Sequence, residues 1–287
     1  AVFLRNPARD AVIAIDGVYS NPAGVAFLPQ GFHLSLSWQG AFQKRQITSN
    51  APFYPLNTEN QKGEHFFEGE SVAPVIPSFQ AAYVINDKWS VSAQFAVGGG
   101  GGKCEFDNGL PMFEKLVGAQ LNNTVNGGFK PYSLNQSLTG EQYFYGVQIG
   151  GTYKITDMVS VFGGLRGVIA RSGYTGAIRN ITLDGKNSAY YAQASKYYAG
   201  IGNNELATKA GTASFVMQDL VLDCDQSAFG VTPILGVDVN LGKLNLAAKY
   251  EFRTKINFEN ESNNSENLAA LATQVPAVAV YADGAKV

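Results

Sequence analysis

The 287-residue chain has little charge, few histidines and cysteines, and no long hydrophobic run. Charged residues make up 15% of it, against roughly 25% in ordinary soluble domains. The net charge of −2 offers no basic surface for nucleic acid. No stretch approaches the roughly 18 consecutive apolar residues of a membrane-spanning helix. Much of the surface therefore either avoids water or carries uncharged polar groups.

Because the chain has only two histidines and two cysteines, it lacks most of the residue combinations that form catalytic or metal-binding sites. The motifs Gly-x-Ser-x-Gly, His-x-x-x-His and Cys-x-x-Cys are all absent. Cys104 and Cys224 are too few for a disulfide scaffold, and they are either one bridge or two buried thiols. We therefore predict no enzyme activity, no cofactor and no bound metal.

The sequence does contain a strict alternation of apolar and polar residues. Between Phe32 and Phe42, apolar residues interleave with polar ones such as Ser35 and Gln39. A period of two is typical of a strand with one apolar and one polar face. The pattern recurs at 89–97, 143–153, 159–169, 229–239 and 244–256. The fold is therefore predicted to be all-β and antiparallel.

Short and long connections alternate between these predicted strands. Tight turns are predicted at 86–88, 156–157 and 241–243, and long connections at 49–71, 98–140, 184–213 and 259–280. In an up-and-down sheet this puts every short turn at one end, as in transmembrane β-barrels. Aromatic residues on the apolar faces fit the interfacial girdles of such barrels. A soluble sandwich with an aromatic core and a closed eight-stranded barrel are the alternatives.

The segment around Asn21, Pro22, Ala23 and Gly24, which directly precedes the first long strand, resembles the hatch of the FadL/TodX/OmpP1 family of outer-membrane transporters. Two later stretches, 75–92 and 229–254, are also similar to that family. The resemblance implies a transmembrane antiparallel up-and-down barrel of about fourteen strands. Residues 1–31 would form the hatch, and 32–287 about half of the barrel with long outer loops. Because 275–287 do not form a closing strand pattern, we expect a longer barrel.

The resemblance also implies a function and a location. The family passively takes up hydrophobic molecules, such as long-chain fatty acids or aromatic hydrocarbons, across the bacterial outer membrane. The expected partners are this cargo, the lipid bilayer and lipopolysaccharide, and a monomer is expected. A barrel enzyme of the phospholipase or protease type and an adhesive or structural barrel are the alternatives.

Two candidate sites follow from the resemblance and from residue chemistry. The glycine run Gly98, Gly99, Gly100, Gly101 and Gly102 follows the alternating stretch at 89–97, and it is either the family's kinked wall opening or the start of a flexible loop. Further on, a predicted helical segment could offer an apolar capture groove or pack its loop onto the barrel rim. Its apolar residues are Leu110, Met112, Phe113, Leu116 and Val117.

Charged and polar residues on the polar strand faces are expected to point into the lumen. They include His33, Arg166, Lys249 and Arg253. Opposite charges there can pair and hold the hatch. Arg166 is the first candidate for a cation that holds a fatty carboxylate.

Overall fold

The computed structural model describes residues 9–124, 130–272 and 280–285. Residues 1–8 of the predicted hatch lie outside the described residues. The same is true of 275–279 and 286–287 in the predicted C-terminal stretch.

The described residues form a mostly antiparallel sheet that curls into a half-barrel. Its strands β1 to β7 lie side by side in sequence order, and β8 pairs with β6. The all-β antiparallel prediction is confirmed. The strands are β1 (Gly31–Asn50), β2 (Glu64–Val84), β3 (Trp89–Phe106), β4 (Tyr132–Lys154), β5 (Val159–Leu183), β6 (Leu220–Asn240), β7 (Asn245–Glu251) and β8 (Glu259–Ser262).

The described helices lie in the N-terminal segment and in the long connections. Two of the connections contain helices of 13 or 14 residues, and in the described ranges no helix is long and apolar enough to cross a bilayer. The helices are α1 (Gly17–Ser20), α2 (Pro111–Thr124), α3 (Ser188–Gly200), α4 (Asn204–Val216) and α5 (Glu266–Ala272), with 3₁₀ helices at Pro22–Phe27 and Tyr54–Leu56.

The strands continue into two of the connections that the sequence predicts to be long, those at 49–71 and 98–140. The predicted connection 98–140 is too long, because β3 continues to Phe106 and β4 already begins at Tyr132. In the extended upper parts, charged pairs replace apolar residues on the outward face. Lys44 on β1, for example, lies 3.5 Å from Glu68 and 3.2 Å from Glu70 on β2. The backbone ladder persists there while the alternation that reveals it is lost.

The strand predicted at 244–256 ends early, at Glu251. The backbone N–H of Phe252 donates to the Pro233 carbonyl on β6 at 3.0 Å. Pro233 has no N–H to return, so the antiparallel ladder stops at this point. Pairing with β6 resumes at Glu259, the first residue of β8, which lies opposite Ser227.

The two faces of the sheet have the opposite polarity from those of a soluble protein. The convex face is apolar and exposed: Leu36, Trp38 and Phe42 are 73%, 71% and 71% exposed. On the concave face, the polar side chains of Gln80 and Gln148 are almost fully buried. A soluble sandwich would bury the apolar face instead, and no layer covers that face in the part of the chain that the structure describes.

A separate hydrophobic core forms at the end of the sheet opposite the tight turns. It joins the first and second long connections to α4 and to the upper ends of β4 and β5. Its most buried large members are Tyr54, Leu121, Tyr132, Ile181 and Leu183. The long connections are thus packed against one another.

Glu114 on α2 is buried inside this core and has three partners. Its Oε2 lies 2.9 Å from His65 Nδ1, and its Oε1 accepts hydrogen bonds from Asn57 Nδ2 at 2.7 Å and from the Tyr132 hydroxyl at 2.8 Å. His65 Nε2 lies 2.8 Å from the Asn60 carbonyl oxygen. Both ring nitrogens of His65 thus lie within hydrogen-bond distance of an oxygen atom.

Tyr132 takes part in this network only as a donor. Burial, and then the nearby Glu114 carboxylate, raise the pKa of the Tyr132 phenol above its ordinary value. The phenol therefore stays protonated and keeps its hydrogen bond. Glu114 thus fixes α2 to the first residues of β2 and β4.

We expect Glu114→Ala to destabilise the loop core by about 3–5 kcal/mol, because it removes the hydrogen-bond partner of three buried side chains, His65, Asn57 and Tyr132. The measurement is the urea midpoint of unfolding. Lys115→Ala is the matched control, since Lys115 is the next residue of the same helix and is exposed. Equal midpoints for the two variants would show that the network does not stabilise the fold.

Candidate functional site

The N-terminal segment, Arg9–Leu28, lies on the concave face of the sheet. Its Asn-Pro-Ala-Gly sequence forms a capped 3₁₀ helix: the Asn21 side chain accepts a hydrogen bond from the Ala23 N–H at 3.2 Å, and Pro22 occupies the first helical position. Asn at the cap and Pro directly after it both favour a helix start. The motif is therefore a compact turn, and Asn21, Pro22, Ala23 and Gly24 are all buried.

Three strands hold this turn, and two of them do so through side chains that donate to its backbone carbonyls. Thr152 on β4 donates to the Pro22 carbonyl at 3.1 Å, and Ser160 on β5 donates to the Ala23 carbonyl at 2.7 Å. Asn21 in return donates to the Val237 carbonyl on β6 at 2.9 Å. The polar concave face thus supplies donors for carbonyls that would otherwise be buried without partners.

Two of the predicted lumen cations form a network beside the segment. Arg166 Nη1 and Nη2 donate to the two carboxylate oxygens of Glu251 at 2.9 and 2.7 Å, and Nη2 also donates to Gln148. Lys249 pairs with Glu251 at 2.8 Å and donates to the Tyr19 carbonyl at 3.2 Å. The Arg166 guanidinium already has a carboxylate partner, which argues against its holding a fatty carboxylate.

The other two predicted lumen residues lie apart from this network. His33 Nε2 is 2.7 Å from the Pro29 carbonyl, at the junction of the N-terminal segment with β1. Arg253 is exposed in the irregular stretch that follows β7. The structure therefore brings together Arg166 and Lys249 but not His33 or Arg253.

The wall of the sheet is interrupted between β2 and β3. Val72 pairs with Lys103 and Ser78 pairs with Ala96, but residues 73–77 and 97–102 between them make no ladder pairs with each other. The β3–β4 register also shifts within the same glycine run. The run lies inside β3, where it breaks the ladder, rather than in a loop.

Prolines and glycines cause this interruption. Pro74 and Pro77 on β2 have no N–H to give to a neighbouring strand. On β3, Gly100 has φ +104°, and a Cβ there would lie 2.1 Å from the Gln142 carbonyl oxygen. Gly102 has φ +69°, so it too needs glycine. Sequence reasoning identified the glycines but missed the prolines, although two prolines three residues apart in a strand are a readable signal.

A cavity of about 480 Å³ occupies the interruption. Strand alternation places its lining residues Gln43, Arg45 and Ser71 on the concave face. Pro77, Tyr143 and Tyr145 line it from the convex face. The cavity therefore connects the two faces of the sheet, and it is the candidate functional site.

The predicted groove residues are divided between two environments. Val117 is buried in the loop core and Phe113 packs against that core, whereas Met112 and Leu116 are exposed. Leu110 precedes α2 and is half-buried. The five residues do not form one open groove, because two of them pack the loop as the alternative interpretation held.

A smaller apolar pocket of about 130 Å³ lies between α2 and α4, with Leu116 and Phe215 in its lining.

Cys104 on β3 and Cys224 on β6 are both free thiols. Of the two alternatives for the cysteines, the structure has unbridged thiols.

We expect Gly236→Ala on β6 to loosen the N-terminal segment. A Cβ at Gly236 would lie 2.4 Å from Asn21 Oδ1, so Asn21 must move and its bond to Val237 is lost. Losing one such bond corresponds to roughly tenfold faster exchange of the Ala23 and Gly24 amide hydrogens. Hydrogen–deuterium exchange measures this, with Gly163→Ala as control because a Cβ there meets nothing within 4 Å. Equal exchange in both variants would contradict the assigned anchoring.

No family model and no curated protein matches the chain. Among solved structures, the chain is similar to Ail, the attachment invasion locus protein of Yersinia pestis, at 9% identity. The match covers 79% of this chain and 99% of the Ail chain, with a TM-score of 0.15. A TM-score that low carries no argument about fold or function.

Proposed function

We propose that the chain forms part of a bacterial outer-membrane barrel that takes up hydrophobic molecules, such as long-chain fatty acids or aromatic hydrocarbons. The observation that carries the proposal is the interruption between β2 and β3, with its cavity joining the two faces of the sheet. A water-filled pore offers an apolar solute no favourable surface. An opening through the wall lets such a solute leave sideways into lipid.

The convex face supports a membrane setting for this proposal. On β6 the apolar stretch runs from Phe229 to Val239, close to the roughly 9–11 residues of a membrane-spanning strand. Above it, Asp225 and Asp223 take the outward positions. Near the tight turns, Trp89 and Tyr153 lie together at a ring-centroid distance of 4.7 Å, as expected of an interfacial girdle.

In this proposal the N-terminal segment belongs to a hatch that the sequence assigns to residues 1–31. Hydrogen bonds with β4, β5 and β6 keep it on the concave face. The hatch blocks a straight path along the lumen, and the cavity at Gly99–Gly102 provides the way out. The anchoring residues Thr152 and Ser160 do not line the cavity, so the hatch can stay in place while cargo passes.

The contacts of His65 count against a catalytic role for that residue in a barrel enzyme. Both of its ring nitrogens are engaged, by Glu114 and by the Asn60 carbonyl. A catalytic imidazole needs one nitrogen available to a nucleophile or substrate. That the protein is not an enzyme stays a prediction.

Filling the cavity tests the proposal. Gly101 lines it, has ordinary backbone geometry, and a Cβ there has only Arg45 Nη2 nearby, at 3.9 Å. Gly101→Leu should therefore fill the opening without disturbing the strand. In whole cells that carry the intact gene, we expect uptake of labelled fatty acid and of labelled toluene to fall toward the rate of cells that lack the gene.

Gly163→Leu is the matched control, because Gly163 is exposed on β5 and has open space around it. Its uptake should equal that of the unmodified protein. Unchanged uptake by Gly101→Leu, with both variants present in the outer membrane at equal amounts, would count against the cavity as the exit route.

A further inference from the structure

Arg45 is the charged side chain in the lining of the wall cavity, whose other members are apolar, aromatic, small or uncharged polar residues. Within residues 9–124, 130–272 and 280–285, no ion pair involves Arg45. Its neighbour Lys44 pairs with both Glu68 and Glu70. The cavity therefore contains a guanidinium that this part of the protein does not neutralise.

The acidic residues of the adjoining strands belong to the other face. Phe42 is exposed on the convex face, so alternation puts Lys44 beside it and Arg45 on the concave face. Glu68 and Glu70 on β2 contact Lys44, and Glu105 on β3 contacts Lys103. The charge of Arg45 thus stays available at the concave end of the cavity.

The two ends of the cavity differ in polarity. Gln43, Arg45 and Ser71 make the concave end polar, whereas Pro77, Tyr143 and Tyr145 make the convex end apolar and aromatic. A molecule that fits both ends has a polar, negatively charged head and an apolar tail. A guanidinium binds carboxylate or phosphate through two parallel charge-assisted hydrogen bonds, and it offers a neutral apolar molecule no comparable gain.

We infer that Arg45 is a specificity-determining residue, which makes the opening prefer amphiphiles with an anionic head group over neutral apolar molecules. This inference rests on the proposed function. The tail points toward Tyr143 and Tyr145, and the head lies at Arg45. Because Arg45 is exposed, water weakens the bond enough for the head to leave.

Uptake of three molecules with the same twelve-carbon tail tests the inference: dodecanoate, dodecyl phosphate and dodecanol. In cells carrying the intact gene with Arg45→Met, we expect uptake of both anions to fall about tenfold, because a hydrogen bond to a charged group is lost. Dodecanol uptake should not change. Arg45→Lys keeps the charge but cannot form two parallel hydrogen bonds, so it should restore only part of the anion uptake.

Lys44→Met is the matched control, since it removes the same charge from the adjacent residue on the opposite face, and it should leave all three rates unchanged. A loss confined to one anion would support the inference and identify the head group. Two results would overturn the role of Arg45 alone. One is an equal loss of uptake for the anions and for dodecanol in Arg45→Met. The other is no loss of uptake in Arg45→Met while cells with the unmodified gene still take up the molecules faster than cells without it. Equal uptake of all three by cells with and without the unmodified gene would instead overturn the proposed function.

Discussion

The structure depends on the pairing of backbone groups between strands whose two faces differ in polarity. A strand that meets lipid must give every N–H and C=O a partner, because no water is present to replace one. Antiparallel pairing from β1 to β7 achieves this over most of the sheet. At the cavity between β2 and β3, fewer backbone groups need a partner, because Pro74 and Pro77 have no N–H. Ser71 satisfies one freed carbonyl by donating to Gly101 at 2.9 Å.

The concave face solves the same problem for the N-terminal segment. Thr152 and Ser160 give hydroxyl donors to carbonyls of the capped turn, and Asn21 gives a donor to β6. Such bonds require polar residues at alternate strand positions, and those residues leave the chain with few apolar groups on that face. The low charge of the sequence has the same origin, since uncharged amides and hydroxyls suffice where backbone groups are the partners.

The sequence predicted the strands well where period two is intact, because that signal is local. The sequence did not predict the upper strand ends, because pairs such as Lys44 and Glu70 replace the alternation there. It also did not predict the early end of β7, because Pro233 on another strand determines it. Only the glycine side of the interruption between β2 and β3 was predicted. The glycines are contiguous in the sequence, whereas the prolines that complete the interruption belong to β2. The bonds of Glu114 to His65 and the burial of Val117 depend on tertiary packing, and no local pattern contains them.

The claim that the convex face meets lipid is tested most directly by the two tryptophans of the chain, Trp38 and Trp89. They are 71% and 53% exposed on that face. The measurement is tryptophan fluorescence of the protein reconstituted in bilayers whose acyl chains carry bromine, compared with bilayers of unbrominated lipid and with aqueous iodide. Contact with lipid predicts strong quenching by bromine and weak quenching by iodide. Strong iodide quenching with no effect of bromine would contradict it.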